Sequence, residues 1–325
     1  MKKLWYSISL VVLCLLVGCG ARDKNPEGAG DDMEQDFIVV GFSQVGSESV
    51  WRTKNTASIQ EELTKDNGFF LNFANARQKQ ENQIKHIREF ISQRVDYIIF
   101  SPVTEEGWET VLQEAKEAGI PVILVDRKVD VADSSLYKAW IGSDMTEEGR
   151  QAGLWLEKYE QDNQLQSQPI RIVVLQGTEG STSTIERSKG FHQIADAHDN
   201  WEILEEPYAD FTTAKGEEIM NRLLEKYSTI DVLISQNDDM TFGAIQALED
   251  HGLTTGVKGD VAVVSFDAVE EALRLVRQGK INVDIECNPL QGPYVRETLK
   301  SLERGESVEK NIFVKERVYD QSFFG

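Results

Sequence analysis

The chain is poor in cysteine, in histidine, in positive charge and in long apolar runs. Its three cysteines in 325 residues are Cys14, Cys19 and Cys287. Only Cys287 lies beyond residue 19, so the folded part has no intrachain disulfide and no cysteine-rich metal site. Cys287 falls in an alternating apolar–polar run and reads as a structural thiol. The four histidines, His86, His192, His198 and His251, are scattered on helices or at their ends and read as surface residues. No His-Glu-x-x-His, Gly-x-Ser-x-Gly or P-loop pattern occurs, which removes the enzymes built on those motifs. Lys and Arg number 34 against 55 Asp and Glu, a formal net charge of -21. So acidic a chain repels nucleic acid and anionic lipid, and it carries no basic run for a DNA or RNA footprint. The one leading apolar stretch, residues 8–17, is too short to span a membrane as a stable helix.

That stretch follows Lys2 and Lys3 and ends in Leu16-Val17-Gly18-Cys19. It resembles a bacterial lipoprotein signal, in which small residues precede a cysteine that is lipidated and becomes N-terminal after cleavage. The resemblance implies removal of residues 1–18, which takes two lysines and no acid, and lipidation at Cys19. Residues 19–36 are rich in glycine and charge, lack apolar periodicity and read as a tether.

What is abundant is alternation. From Phe37 onward, short apolar runs alternate with amphipathic helical segments, the pattern of an α/β fold with parallel sheets. Val122-Ile123-Leu124-Val125 is apolar throughout and three-quarters β-branched, as expected of a strand buried on both faces. The polar break at residues 161–168 and the length of the chain favour two α/β domains. The expected division is residues 37–142 plus 269–286 for the N-terminal domain and 143–268 plus 287–325 for the C-terminal one.

Polar residues collect after strands. Ser43, Glu48, Trp51 and Arg52 follow the first; Asp126 and Arg127 follow 122–125; Arg187 lies in the helix after 170–175. Asn237, Asp238 and Asp239 follow 231–235, and Asp267 follows 261–266. In open α/β sheets ligands bind outside the carboxyl ends of the strands. Asp126 beside Arg127 is either a strand-end ion pair or an acceptor and a planar donor fork for a hydroxyl-rich ligand. Trp51 and Phe211 are either core residues or the apolar faces on which a sugar ring stacks. Asp238 and Asp239 suit the first turn of a helix, and Ser181 or Ser183 an N-cap.

Several stretches carry a resemblance: Val39-Val40-Gly41-Phe42-Ser43-Gln44, Val125-Asp126-Arg127, Arg187-Ser188-Lys189-Gly190-Phe191, Asp210-Phe211-Thr212, Gln236-Asn237-Asp238-Asp239-Met240 and Ser265-Phe266-Asp267. They are similar to the ribose/galactose family of periplasmic sugar-binding proteins, the substrate receptors of ABC importers, over roughly residues 37–320. Gly41 to Ser49 followed by Trp51-Arg52, and Gln78 to Lys85, are most similar to galactofuranose-binding members. The resemblance implies a type I periplasmic-binding-protein fold: two Rossmann-like domains joined by a three-crossover hinge, with a monosaccharide held between them. The implied ligand-binding residues are Ser43, Glu48, Trp51, Arg52, Asp126, Arg127, Arg187, Phe211, Asn237 and Asp267. Where ribose binders place a glutamine two residues before a proline, this chain has Cys287 before Pro289, flanked by Glu286 and Asn288 as alternatives.

The expected function is therefore capture of a galactofuranose-like hexose and its delivery to an ABC permease. The protein would act as a monomer at the outer face of the cytoplasmic membrane or in the periplasm, with no cofactor, no metal, no nucleic acid and no catalysis. The rivals are a lipoprotein that presents sugar to a histidine kinase or chemoreceptor, and a glycoside-acting enzyme using Asp126 and Asp267 as its carboxylates.

Overall fold

The computed structural model describes residues 37–324; the leader, Cys19 and the tether lie outside the described residues. The first half of the fold runs β1 Ile38–Gln44, α1 Val50–Glu62, β2 Phe69–Asn75, α2 Gln80–Gln93, β3 Tyr97–Phe100, α3 Glu109–Glu117, β4 Val122–Val125 and β5 Ala139–Gly142. The second runs α4 Met145–Asp162, β6 Ile170–Leu175, α5 Thr182–Ala195, β7 Trp201–Glu205, α6 Thr213–Lys226, β8 Val232–Ser235, α7 Asp238–Asp250, β9 Ala262–Asp267, α8 Glu270–Gln278 and β10 Val283–Glu286. The chain closes with α9 Gly292–Glu303, β11 Asn311–Phe313 and β12 Val318–Asp320.

These strands form two six-stranded sheets, in the orders β11-β5-β4-β3-β1-β2 and β12-β10-β9-β8-β6-β7. The pairings are parallel except that of β10 with β12. The uninterrupted apolar strands have the expected cause. In β4, Val122 and Leu124 face a core with Trp108 and Leu112 on one side, while Ile123 and Val125 face Ile59, Val295 and Leu299 on the other. With period-2 alternation and helices on both faces, no position along such a strand is left for a polar side chain.

The division into lobes differs from the sequence expectation at the C-terminal end. Residues 269–286 were expected with the first domain, but β10 pairs with β9, Val283 against Val264 and Ile285 against Phe266, and so belongs to the second sheet. Residues 287–325 were expected with the second domain. Instead α9 packs on α1, and β11 pairs with β5, Ile312 against Ile141. Only β12 returns to the second sheet. The chain thus passes between the lobes three times, at residues 143–144, 287–291 and 314–317.

The helices of the second lobe cross at glycine. A Cβ on Gly149 of α4 would lie 2.0 Å from the Arg187 carbonyl oxygen, and one on Gly190 of α5 would lie 2.0 Å from that of Thr146. Backbone thus meets backbone, and α5 is held at the depth that carries Arg187 to the end of the sheet.

Candidate functional site

Where the carboxyl ends of the two sheets face each other lies a cavity of about 290 Å³. It is lined by Glu48, Ser49, Trp51, Arg52, Asp126 and Arg127 from the first lobe and by Ser183, Arg187, Phe211, Asn237 and Asp267 from the second. Cys287, on the second crossing, completes it. Nine of the ten residues expected from the sequence line this one cavity. The tenth, Ser43, does not: its Oγ stands 2.9 Å from His86 Nδ1, inside the first lobe.

The polar groups hold one another in place. Arg52 donates to Asp126 Oδ2 at 2.7 Å and to Glu48 Oε1 at 3.0 Å. Ser101 Oγ adds a hydrogen bond to Asp126 at 3.2 Å. Burial disfavours the Arg52 guanidinium, but Asp126 and Glu48 together raise its pKa above the ordinary value. Arg127 is 2% exposed and donates from Nη1 to the Val103 carbonyl at 2.9 Å. Its guanidinium lies 5.3 Å from the centre of the Phe211 ring across the cleft. Burial and then the charge of Arg52 lower its pKa to about 10, so it stays protonated at neutral pH.

On the other wall Arg187 pairs with Glu148 Oε2 at 2.6 Å and with Asp267 Oδ1 at 3.6 Å, and bonds the Gln236 carbonyl. Burial pushes the Asp267 carboxyl well above its usual range despite Arg187. Asn237 caps α7, accepting from the Met240 amide at 2.9 Å, and its Nδ2 donates to the Phe211 carbonyl at 3.3 Å. The caps of α1 and α5, Ser49 and Ser181, lie at the same mouth, so the N-termini of α1, α5 and α7 converge on it. Helix N-termini present amide donors and partial positive charge, which suits an oxygen-rich ligand.

Two observations mark the cavity as more than a packing gap. Buried atoms Glu48 Oε2 and Arg127 Nε have no hydrogen-bond partner among the described residues, one an acceptor and one a donor. Such atoms cost about 1–3 kcal/mol each unless something pairs with them. In addition Asp126, Phe211 and Asp267 adopt left-handed backbone conformations, with φ of 62°, 60° and 109°. Non-glycine residues there cost on the order of 1–3 kcal/mol and cluster at functional sites.

The aromatic faces are built across the lobes. Trp51, on α1 of the first lobe, is 4% exposed within a core cluster of the second, and its Nε1 donates to the Cys287 carbonyl at 2.5 Å. Trp51 is thus core and cavity wall at once. The outer end of the Phe211 ring abuts Gly177, where a Cβ would come within 1.8 Å of it, so only glycine seats it. The alternative between Glu286 and Asn288 has a third answer: Cys287 lines the cavity and neither neighbour does. Asn288 turns away to the Lys315 carbonyl, and Tyr319 Oη approaches Glu286 at 3.4 Å. Ser49, Ser183 and Cys287 were not expected in the lining. A helix cap and a lone thiol have ordinary structural readings, and only the facing lobe shows that they also border a cavity.

The lobes touch around the rim. Lys128 N–H donates to Thr182 Oγ1 at 2.8 Å, Glu105 N–H to the Gly180 carbonyl at 3.0 Å, and Val50 N–H to Asp239 Oδ2 at 3.1 Å. No helix among the described residues is long and apolar enough to cross a membrane.

Comparison with known proteins agrees with this geometry. A family model described as a periplasmic binding protein domain matches residues 40–302. The galactofuranose-binding protein YtfQ of Escherichia coli is 39% identical over 286 residues, 87% of each chain. A Mycobacterium smegmatis protein solved in complex with β-D-fucofuranose is 42% identical, with a TM-score of 0.84, covering 88% of this chain and 92% of that one. The binding protein of an arabinose ABC transporter from Shewanella sp. ANA-3, bound to α- and β-L-arabinofuranose, is 40% identical, with a TM-score of 0.81, over 87% and 92%.

Proposed function

The chain belongs to the periplasmic binding protein family, and from that premise we propose that it captures a monosaccharide in furanose form, a galactofuranose-like hexose, for an ABC importer. The observation that carries this reading is the cavity itself. It is closed by two lobes, walled by Trp51 and Phe211, and edged by three buried arginines and the carboxyl groups of Glu48, Asp126 and Asp267.

The chemistry follows from the donors. Arg127 Nε and the free edges of Arg52 and Arg187 donate to ring and hydroxyl oxygens; Glu48 Oε2, Asp126 and Asp267 accept from hydroxyls. Hydrogen bonds to charged groups contribute about 1.5–3 kcal/mol each. A sugar lacking one hydroxyl strands a buried partner, so discrimination is strong. Three related proteins whose ligands are furanoses support the ring form. Lipidation at Cys19 belongs to the same proposal and would hold the binding lobes at the membrane beside the permease; membrane fractionation of a Cys19→Ser variant checks it.

A thermal-shift and tryptophan-emission screen of pentoses and hexoses tests the sugar assignment. Galactose raises the melting temperature and quenches Trp51, and a pentose that also equilibrates into furanose, such as arabinose, does so more weakly. No shift with any sugar would sink the assignment.

A further inference from the structure

The three crossings between the lobes are joined at one side chain. Glu316, on the third crossing, accepts with Oε1 from Ser143 Oγ of the first crossing and from the Asn288 amide of the second, the latter at 3.0 Å. Ser143 Oγ also lies 3.3 Å from Cys287 Sγ. Lobe rotation must turn backbone torsions in all three crossings. It cannot do so without disturbing these bonds.

The setting of Glu316 is acidic. Atoms of Glu148, Cys287 and Glu316 lie within 4.8 Å of one another. From α4 come Glu148, Glu147 and the capping Asp144. From β10 comes Glu286, and next along the third crossing comes Arg317; all of these border a second cavity, of about 630 Å³, behind the hinge. Arg187 of α5 already pairs with Glu148, at 2.6 Å, leaving Glu148 Oε1 buried and without a partner among the described residues. That guanidinium also pairs with Asp267 at 3.6 Å, so it is shared among three carboxyls and a thiol.

We propose that Glu316 is a proton-operated clasp of the hinge: as a neutral acid it ties the three crossings in the closed arrangement, and as a carboxylate it repels Glu148 and loosens them. In support, burial and then the charge of Glu148 raise the Glu316 pKa to about 8, outweighing the hydrogen bonds from Ser143 and the Asn288 amide, which favour the carboxylate. Burial likewise raises Glu148 and Cys287. The coupling reaches the cavity through Arg187, which lines it and holds Glu148 from behind. Opening the crossings gives Glu316 back to water and to an ordinary acid range. Closure then takes up a proton between that range and about pH 8. The closed state is fully favoured below the open-state pKa, loses ground as pH rises towards 8, and levels off above it. At most, affinity falls about tenfold per pH unit inside this window.

The proposal rests on the two-lobe binding reading only for its affinity arm, so the first arm uses sugar-free protein. Hydrogen–deuterium exchange of the peptides covering residues 140–146, 285–291 and 314–318 is followed from pH 5.5 to 9, corrected for intrinsic exchange. In the natural protein, protection falls severalfold up to about pH 8 and then holds. In Glu316→Gln, which keeps a neutral acceptor for Ser143 and Asn288, it stays flat. Protection in the natural protein that does not change with pH overturns the clasp, as does the same pH response in Glu316→Gln. Should that variant not fold, the natural protein alone still decides, and Ser143→Ala, lacking one of the clasp's donors, must show reduced protection at pH 6. The second arm titrates D-galactose calorimetrically at pH 7 in buffers of different ionisation enthalpy. The natural protein takes up more protons on binding than Glu316→Gln does, and equal uptake counts against the clasp. Absence of galactose binding at every pH counts against the sugar reading and leaves the exchange arm to judge the clasp.

Discussion

Arg127 concentrates the argument at the scale of single residues. It is buried, it is anchored by one hydrogen bond to Val103, and its Nε, 4.0 Å from Asp126 Oδ2, has no hydrogen-bond partner among the described residues. The guanidinium fork also lies near the Phe211 ring, a position that a flexible ammonium would not reproduce. Arg127→Ala therefore leaves the Arg52–Asp126 pair standing while removing donors from the cavity. We expect galactose affinity to fall roughly 100-fold or more, near the upper end for a single charged hydrogen bond. Arg127→Lys should recover little of it, with the denaturation midpoint of both variants close to that of the natural protein. Calorimetry and urea denaturation check both halves, and full recovery by lysine contradicts the fork geometry.

Much of this residue set was legible in the sequence, because a carboxylate and a guanidinium directly after an all-apolar strand have few uses inside an α/β fold. Asp126, Arg127, Asn237 and Asp267 were readable on that ground. Ser43 misled, because polar residues at a strand end point to alternate faces and only one face meets the cleft. Cys287 was opaque for the opposite reason. A thiol in an apolar alternation is what a core looks like, and nothing local shows that a second lobe stands opposite.

Among the elements, the strongly periodic helices and apolar strands were readable and the late, short ones were not. Asp238 and Asp239 read as first-turn acids of a helix, and they open Asp238–Asp250, which Asn237 caps. The strand Val318–Asp320 is three residues long and antiparallel to its neighbour, too brief for any periodicity to show. The assignment of α8, β10 and α9 to lobes failed since strand pairing is a long-range property that local pattern does not encode. Close helix crossings are likewise invisible in composition, yet they fix where Arg187 sits. Gly190→Ala places a methyl group against the Thr146 carbonyl and pushes α5 from α4. Overpacking of this kind costs about 1–3 kcal/mol. We expect a lower denaturation midpoint and weaker galactose binding, since the displaced helix carries Arg187. A variant with unchanged stability would mean that the α4–α5 contact yields more easily than its backbone-to-backbone geometry implies.

Taken as a whole, the molecule is two half-sites that become one site only when the lobes meet. The first lobe brings the Arg52–Asp126–Arg127 group and Trp51; the second brings Arg187, Asn237, Asp267 and Phe211. Neither half encloses a sugar alone. The rim contacts at Lys128, Glu105 and Val50 hold the halves together, and the three crossings join them. The donors and acceptors held on both walls suit one small, oxygen-rich ring. The most direct measurement is of that ring. The protein is incubated with D-galactose labelled with carbon-13 at the anomeric position and separated from free sugar by rapid gel filtration, and the spectrum of the retained sugar is recorded. The account predicts a furanose anomeric signal enriched far above its share in solution, and its loss in Arg127→Ala. Retention of pyranose alone, or of no sugar, would contradict it.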